Sequence, residues 1–99
     1  MYNAITSNLS FEWDERKSRK NRLKHDISFE EAVYAFLDDD ALVIVDPDHS
    51  AEEERFLLLG MSNRNRLLVV VHCLRNGDTI RIISARKATA NEEKQYANR

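Results

Sequence analysis

Two β-rich runs, Leu67–Leu74 and Thr79–Ala85, flank Asn76-Gly77 and constrain this 99-residue chain more than any other feature. Asn-Gly favours a two-residue type I′ turn, because both central residues must take positive φ. Such a turn pairs Arg75 with Asp78, Leu74 with Thr79, Cys73 with Ile80, His72 with Arg81, Val70 with Ile83 and Leu68 with Ala85. Directly opposed residues share a sheet face, so His72 and Arg81 are expected side by side. An imidazole beside a guanidinium is a poor core pair and a good pair for a phosphate. Arg81 and Arg86 fall on opposite faces of an ideal strand, and both serve one site only if the strand bends or ends between them.

Leu9–Trp13 alternates apolar and polar residues and predicts a short strand. Asp14 offers an N-cap oxygen, and a helix runs on through Lys24. Its one aliphatic residue is Leu23, so it is expected on the surface, with Lys17, Asn21 and Lys24 recurring at helical spacing. Ser28-Phe29-Glu30-Glu31 is a full capping box, and Ile27 is placed as a staple to Ala32. Phe29, Ala32, Val33, Phe36 and Leu37 then form a stripe to be buried against a sheet. Ala41–Val45 and Phe56–Leu59 read as strands, the first closed by the turn signal Asp46-Pro47-Asp48. Thr89-Ala90-Asn91-Glu92 is another capping box, opening a C-terminal helix that carries Tyr96. The order strand, helix, helix, four strands, helix predicts one α+β domain, an antiparallel meander with the helices packed on it.

Composition narrows the class. A hydrophobic fraction of 42% with two Gly and one Pro belongs to an ordered globular chain long enough for one core. The longest apolar run, Leu67–Val71, falls far short of a membrane span, and Met1–Ser10 lacks the features of a signal peptide. The single cysteine, Cys73, makes no internal disulfide, which points to the cytoplasm. The net charge of −2 conceals a segregation: six Lys/Arg and no acid between Arg16 and Lys24, eleven acids and no Lys/Arg from Asp26 to Glu54, then seven basic residues against Asp78 alone from Arg55 to Lys87. Such blocks permit one strongly positive surface, which attracts polyanions, or two solvated faces that neutralise each other.

Several runs together resemble the BrnT toxins of bacterial type II toxin-antitoxin systems. They are Phe11-Glu12-Trp13-Asp14 with Lys17 and Asn21, Lys24-His25, Ser28-Phe29-Glu30-Glu31-Ala32, Asp46-Pro47-Asp48-His49-Ser50, Glu53-Glu54-Arg55-Phe56, and Arg81-Ile82-Ile83-Ser84-Ala85-Arg86-Lys87-Ala88. The resemblance, from about Phe11 to Tyr96, implies a RelE-like fold and ribonuclease activity that halts translation. It also implies neutralisation by a BrnA antitoxin, whose ribbon-helix-helix domain represses the shared operon, in a two-toxin, two-antitoxin assembly. Operator DNA would be met only through that antitoxin. This chain departs from the family pattern in carrying Asp26 where Gly commonly follows Lys-His, and in the residues before Leu9, for which the sequence offers no functional reading.

For cleavage of RNA, Arg81 and Arg86 suit phosphate oxygens through the planar guanidinium fork. His25 and His72 are the candidate proton-transfer groups, since imidazole titrates near neutrality. Lys17, Lys20, Lys24 and Arg64 are expected to hold backbone phosphates, and Tyr96 to approach the substrate. These groups are expected to line one cationic hollow between the first helix and the last two strands. Attack by the substrate's own 2′-hydroxyl needs no metal ion and no cofactor. Asp46, Asp48 and His49 hint at a metal, but a short turn explains Asp-Pro-Asp as well. A nucleic-acid-binding regulator without chemistry would use the same basic face.

Overall fold

The computed structural model describes residues 2–6, 9–45 and 54–99, the first of these ranges by its backbone alone. Six strands, β1 (Tyr2–Thr6), β2 (Leu9–Trp13), β3 (Leu42–Val45), β4 (Phe56–Met61), β5 (Leu67–Arg75) and β6 (Thr79–Lys87), form one sheet in the order β1-β2-β6-β5-β4-β3. Three helices accompany them: α1 (Glu15–His25), α2 (Phe29–Ala35) and α3 (Ala90–Ala97). The expected meander is present from β3 to β6, every neighbouring pair antiparallel. The sheet as a whole is mixed, because β2 lies parallel to β6. Two helices separate β2 from the meander, so no short turn forces it to run antiparallel. Residues 2–6, which carried no sequence reading, add an antiparallel edge strand to β2.

The hairpin differs from its expected register in two steps. Asn76 and Gly77 do take positive φ, 56° and 80°, but Asp78 joins the loop, and the first pair is Arg75 with Thr79. His72 therefore opposes Ile82, and Arg81 opposes Cys73. A bulge follows: Val71 opposes Ser84 while His72 opposes Ile82, which leaves Ile83 as the extra residue on β6. Beyond it Val70 meets Ala85, Val69 meets Arg86 and Leu68 meets Lys87. The bulge reverses the alternation, so Arg81 and Arg86 emerge on the same face.

That face is opposite the main core cluster, yet it buries apolar residues of its own: Cys73 opposes Arg81, Val69 opposes Arg86 and Leu59 opposes Val69, at 1%, 2% and 7% exposure. Phe29, Ala32 and Val33 of α2 pack with Leu58, Leu68, Val70, Ile80, Ile82 and Ala85 on the opposite face, joined by Phe11, Trp13 and Ile27. Ser28 caps α2 through the amide of Glu31, which is half of the expected capping box, because the Glu31 carboxylate is taken by Ser62 and Arg66 instead. Helix α2 comes close to the sheet at Gly60, where an added Cβ would stand 2.5 Å from the carbonyl oxygen of Ala35. Helix α1 docks differently. Its lone aliphatic residue, Leu23, is 90% exposed, and its buried residues are Ser18 and Asn21. Asn21 Nδ2 donates to the carbonyls of Ala85 (2.8 Å) and Ile27 (2.9 Å), and Asn21 Oδ1 accepts from the Ala85 amide at 3.1 Å. Strand β2 pairs with β6 only as far as Arg81. Past that point the Asn21 amide group stands in for a strand and satisfies the edge that the bulge exposes.

Candidate functional site

On the sheet face opposite α1 and α2, Arg81 and Arg86 lie roughly 16 Å apart along β6, five residues at about 3.3 Å each. Each is held by a carboxylate. Arg81 Nη1 donates to Glu12 Oε2 at 2.9 Å, both side chains largely covered. Glu12 opposes Arg81 in the parallel β2–β6 ladder, so the strand pairing itself makes this contact. Arg86 donates from Nη1 and Nη2 to the two oxygens of Glu92 at 2.8 and 2.9 Å. Glu92 also accepts from the Thr89 amide, closing the capping box of α3. The Arg86 fork holds the Glu92 carboxyl down at about 2 and raises its own pKa in return.

The end of the sheet nearest Arg86 gathers further charge. Glu31, nearly buried, accepts from Ser62 Oγ at 2.7 Å and from Arg66 Nε at 3.0 Å, with a second, shorter bond from Arg66 Nη2. Burial lifts the Glu31 pKa, but the hydrogen bonds from Arg66 and Ser62 outweigh it and leave the carboxyl below its ordinary value. Arg66 Nη2 also donates to the Asp26 carbonyl at 2.8 Å. Asp26 itself adopts φ 60°, the left-handed C-cap conformation that Gly takes without cost, and its amide closes α1 on Arg22. Its carboxylate lies 3.4 Å from Arg66, so the departure from Gly ties α1 to the β4–β5 loop. Two shallow hollows flank this network, one of ≈ 300 Å³ lined by Arg66, Leu67, Lys87, Ala88 and Glu93, the other of ≈ 310 Å³ lined by Arg22, Asp26, Ser28, Glu30, Glu31 and Arg64.

The structure separates the residues that the sequence grouped. His72 is 5% exposed on the core face, its Nδ1 3.1 Å from the Val70 carbonyl and its ring against Phe36 and Phe56. Burial pushes its pKa down, and the expected His72–Arg81 pair does not form because the three-residue loop shifts the register by one. His25, half-buried, ends α1. Lys17, Lys20 and Lys24 are exposed on α1, where Arg16, Arg19, Lys20 and Leu23 line a hollow of ≈ 380 Å³. Arg64 is exposed and 4.0 Å from Glu31. The Tyr96 hydroxyl donates to Asp38 at 2.5 Å, which commits it to pinning α3. The single expected hollow thus resolves into two separate groups of cations, the exposed lysines and arginines on the outer flank of α1 and the carboxylate-paired Arg81 and Arg86 on the sheet face with its loop end. Cys73, which opposes Arg81, is buried.

Arg66 and Ser62 were not among the candidate site residues, and Lys87 entered only within the run Arg81–Ala88. Nothing in the sequence links Glu31 to Arg66, although the capping box marked Glu31. The Asp46-Pro47-Asp48 turn and His49 lie outside the described residues. Among the described residues no group of three or more His, Cys, Asp or Glu is placed to hold a metal, and no helix is long and apolar enough to cross a membrane.

The fold and site define a small α+β protein with one sheet face covered by helices and the other carrying two arginines. A family model, described as the ribonuclease toxin BrnT of type II toxin-antitoxin systems, matches residues 13–92. The chain belongs to this family. The 1.1 Å crystal structure of the Brucella abortus ribonuclease toxin BrnT has the same fold, with a TM-score of 0.59 and 23% identity over 78% of this chain and 92% of that chain. No curated protein sequence matches the chain.

Proposed function

We propose that this chain is a RelE-like ribonuclease that cuts messenger RNA in the cytoplasm and thereby stops translation. Family membership across residues 13–92 carries the reading. Two arginines on one sheet face, Arg86 the more exposed of the pair, support it physically, since a guanidinium fork matches the phosphate oxygens on which charge builds. The ribose 2′-hydroxyl attacks the adjacent phosphorus in line, and Arg86 and Arg81 stabilise the developing charge. That reaction requires only cations and a proton acceptor, so no metal is needed. Of the two candidate histidines, His72 lies in the core, so proton transfer is assigned to His25, whose neighbour Asp26 is tied by Arg66 to the loop end of the arginine face. Lys17, Lys20, Lys24 and Arg64 then hold flanking phosphates, supplying affinity without reading sequence. The neutralising partner is a BrnA-like ribbon-helix-helix antitoxin in a two-toxin, two-antitoxin assembly.

The test is to incubate the pure protein with RNA and with DNA of one sequence, with and without EDTA. Cleavage of RNA alone, unaffected by chelator and ending in 2′,3′-cyclic phosphate, is expected. Chelator-sensitive cleavage or equal cleavage of DNA overturns the mechanism. The burial of His72 favours one second reading, a nucleic-acid-binding regulator without chemistry, because it removes one of two proton-transfer candidates. Salt-dependent binding without any cleavage would establish that alternative.

A further inference from the structure

Strand β3 stands at one edge of the sheet and, among the described residues, pairs only with β4. Its sequence Leu-Val-Ile-Val carries no lysine, proline or bulge, the usual devices by which an edge strand avoids pairing with another chain. Val43, Ile44 and Val45 are 55%, 54% and 54% exposed, whereas Leu58 and Leu59 one strand inward are 4% and 7% exposed. The cross-strand row Val43–Leu58–Val70–Ala85 is buried from Leu58 inward and ends bare at Val43. On the other face the row Ile44–Leu57–Val71 ends bare at Ile44. The opposite edge strand, Tyr-Asn-Ala-Ile-Thr, interleaves polar residues instead.

We propose that β3 is a docking edge on which an extended segment of the antitoxin adds as a further strand of the sheet, a proposal that rests on the toxin reading above. Strand addition draws affinity from main-chain hydrogen bonds and specificity from alternate side chains, both of which β3 offers. Charge selects the occupant. Asp38, Asp39 and Asp40 precede the strand, with Arg99 on Asp40 at 2.7 Å as the ion pair there, and Asp46, Asp48 and Glu52 to Glu54 follow it in the sequence. Two copies of this chain joined antiparallel through β3 bring acid against acid at both ends, and a nucleic-acid backbone is repelled likewise. The fitting segment alternates Val, Ile or Leu with other residues and carries Lys or Arg on both flanks. It continues the bare rows on both faces and neutralises the acidic ends.

The experiment compares amide hydrogen exchange in the free full-length chain and in its purified complex with the full-length antitoxin encoded beside it. Alternate β3 amides are expected to exchange at least tenfold more slowly in the complex. Val43→Lys and Ile44→Lys, at exposed positions, are expected to weaken antitoxin binding at least tenfold while leaving RNA cleavage by the free chain unchanged. A synthetic peptide of the bound antitoxin segment supplies a control that leaves this chain untouched: a proline at its centre is expected to abolish binding. Unchanged β3 exchange in the complex, or full binding of the proline peptide, overturns the proposal. Concentration-dependent protection of β3 in the free chain overturns it in favour of a second copy. Cleavage is read on the same preparations, so loss of the nuclease reading with β3 still protected is distinguishable from loss of the docking edge.

Discussion

Asn21 shows how one side chain can replace a strand. Its amide answers both backbone groups of Ala85 and the carbonyl of Ile27, so Asn21→Ala leaves buried polar groups without partners. The expected cost is about 2–4 kcal/mol in urea unfolding, and Asn21→Asp is expected to fare little better because it lacks the donors. Gly60 is a second such position: the 2.5 Å approach of the Ala35 carbonyl means that Gly60→Ala must push α2 from the sheet, at about 1–3 kcal/mol. A melt in which Gly60→Ala is neutral would contradict that contact. His72 belongs at this scale too. Wedged against Phe36 and Phe56, it is a core residue, and His72→Phe is expected to leave RNA affinity unchanged.

Among the elements, β6 and α3 decide what the arginine-bearing face presents. The bulge at Ile83 is what turns Arg86 to the side of Arg81, and α3 is fixed by polar pins rather than by a core, since none of its residues is buried. Arg86–Glu92 and Tyr96–Asp38 are two of those pins. Glu92 is depressed from 4.5 to about 2, so its contribution is complete above pH 4.5 and is lost as pH falls through about 2. Acid loosening of α3 in that window, absent in Glu92→Gln, is expected in amide exchange of residues 90–97. At the other extreme Asp38 pushes the Tyr96 phenol up from 10.0 to about 12. That contribution is complete below pH 10 and is lost as pH rises through about 12, which phenolate absorbance reads directly. These elements were largely legible in the sequence: the N-caps at Ser28 and Thr89 placed the starts of α2 and α3, and the alternation of Leu9–Trp13 placed β2, while α2 ends at Ala35, before the exposed Leu37 of the expected stripe. The hairpin register was not, because Asn-Gly fixes the turn conformation but not the number of residues in the loop, and no pattern in Arg-Ile-Ile-Ser-Ala-Arg announces a bulge.

Across the whole molecule, the charge blocks of the sequence separate in space but do not form one hollow. Basic residues of α1 ring its outer flank, while Arg81 and Arg86 lie on the far face of the sheet. Strand alternation put Arg81 and Arg86 on opposite faces, and only the bulge brings them to one side. Long-range pairs such as Glu31–Arg66 and Asn21–Ala85 follow from tertiary packing alone. The central claim is that the arginine-bearing sheet face, and not the flank of α1, grips the phosphate being cut. Its most direct test is the single-turnover cleavage rate at saturating RNA for Arg81→Gln, Arg86→Gln and Lys20→Gln, each checked for an unchanged melting transition. A fall of about 10²–10³-fold for either arginine, with Lys20→Gln near the wild-type rate, is the result this account requires. Wild-type rates in both arginine variants, with the loss falling on Lys20→Gln, would contradict it.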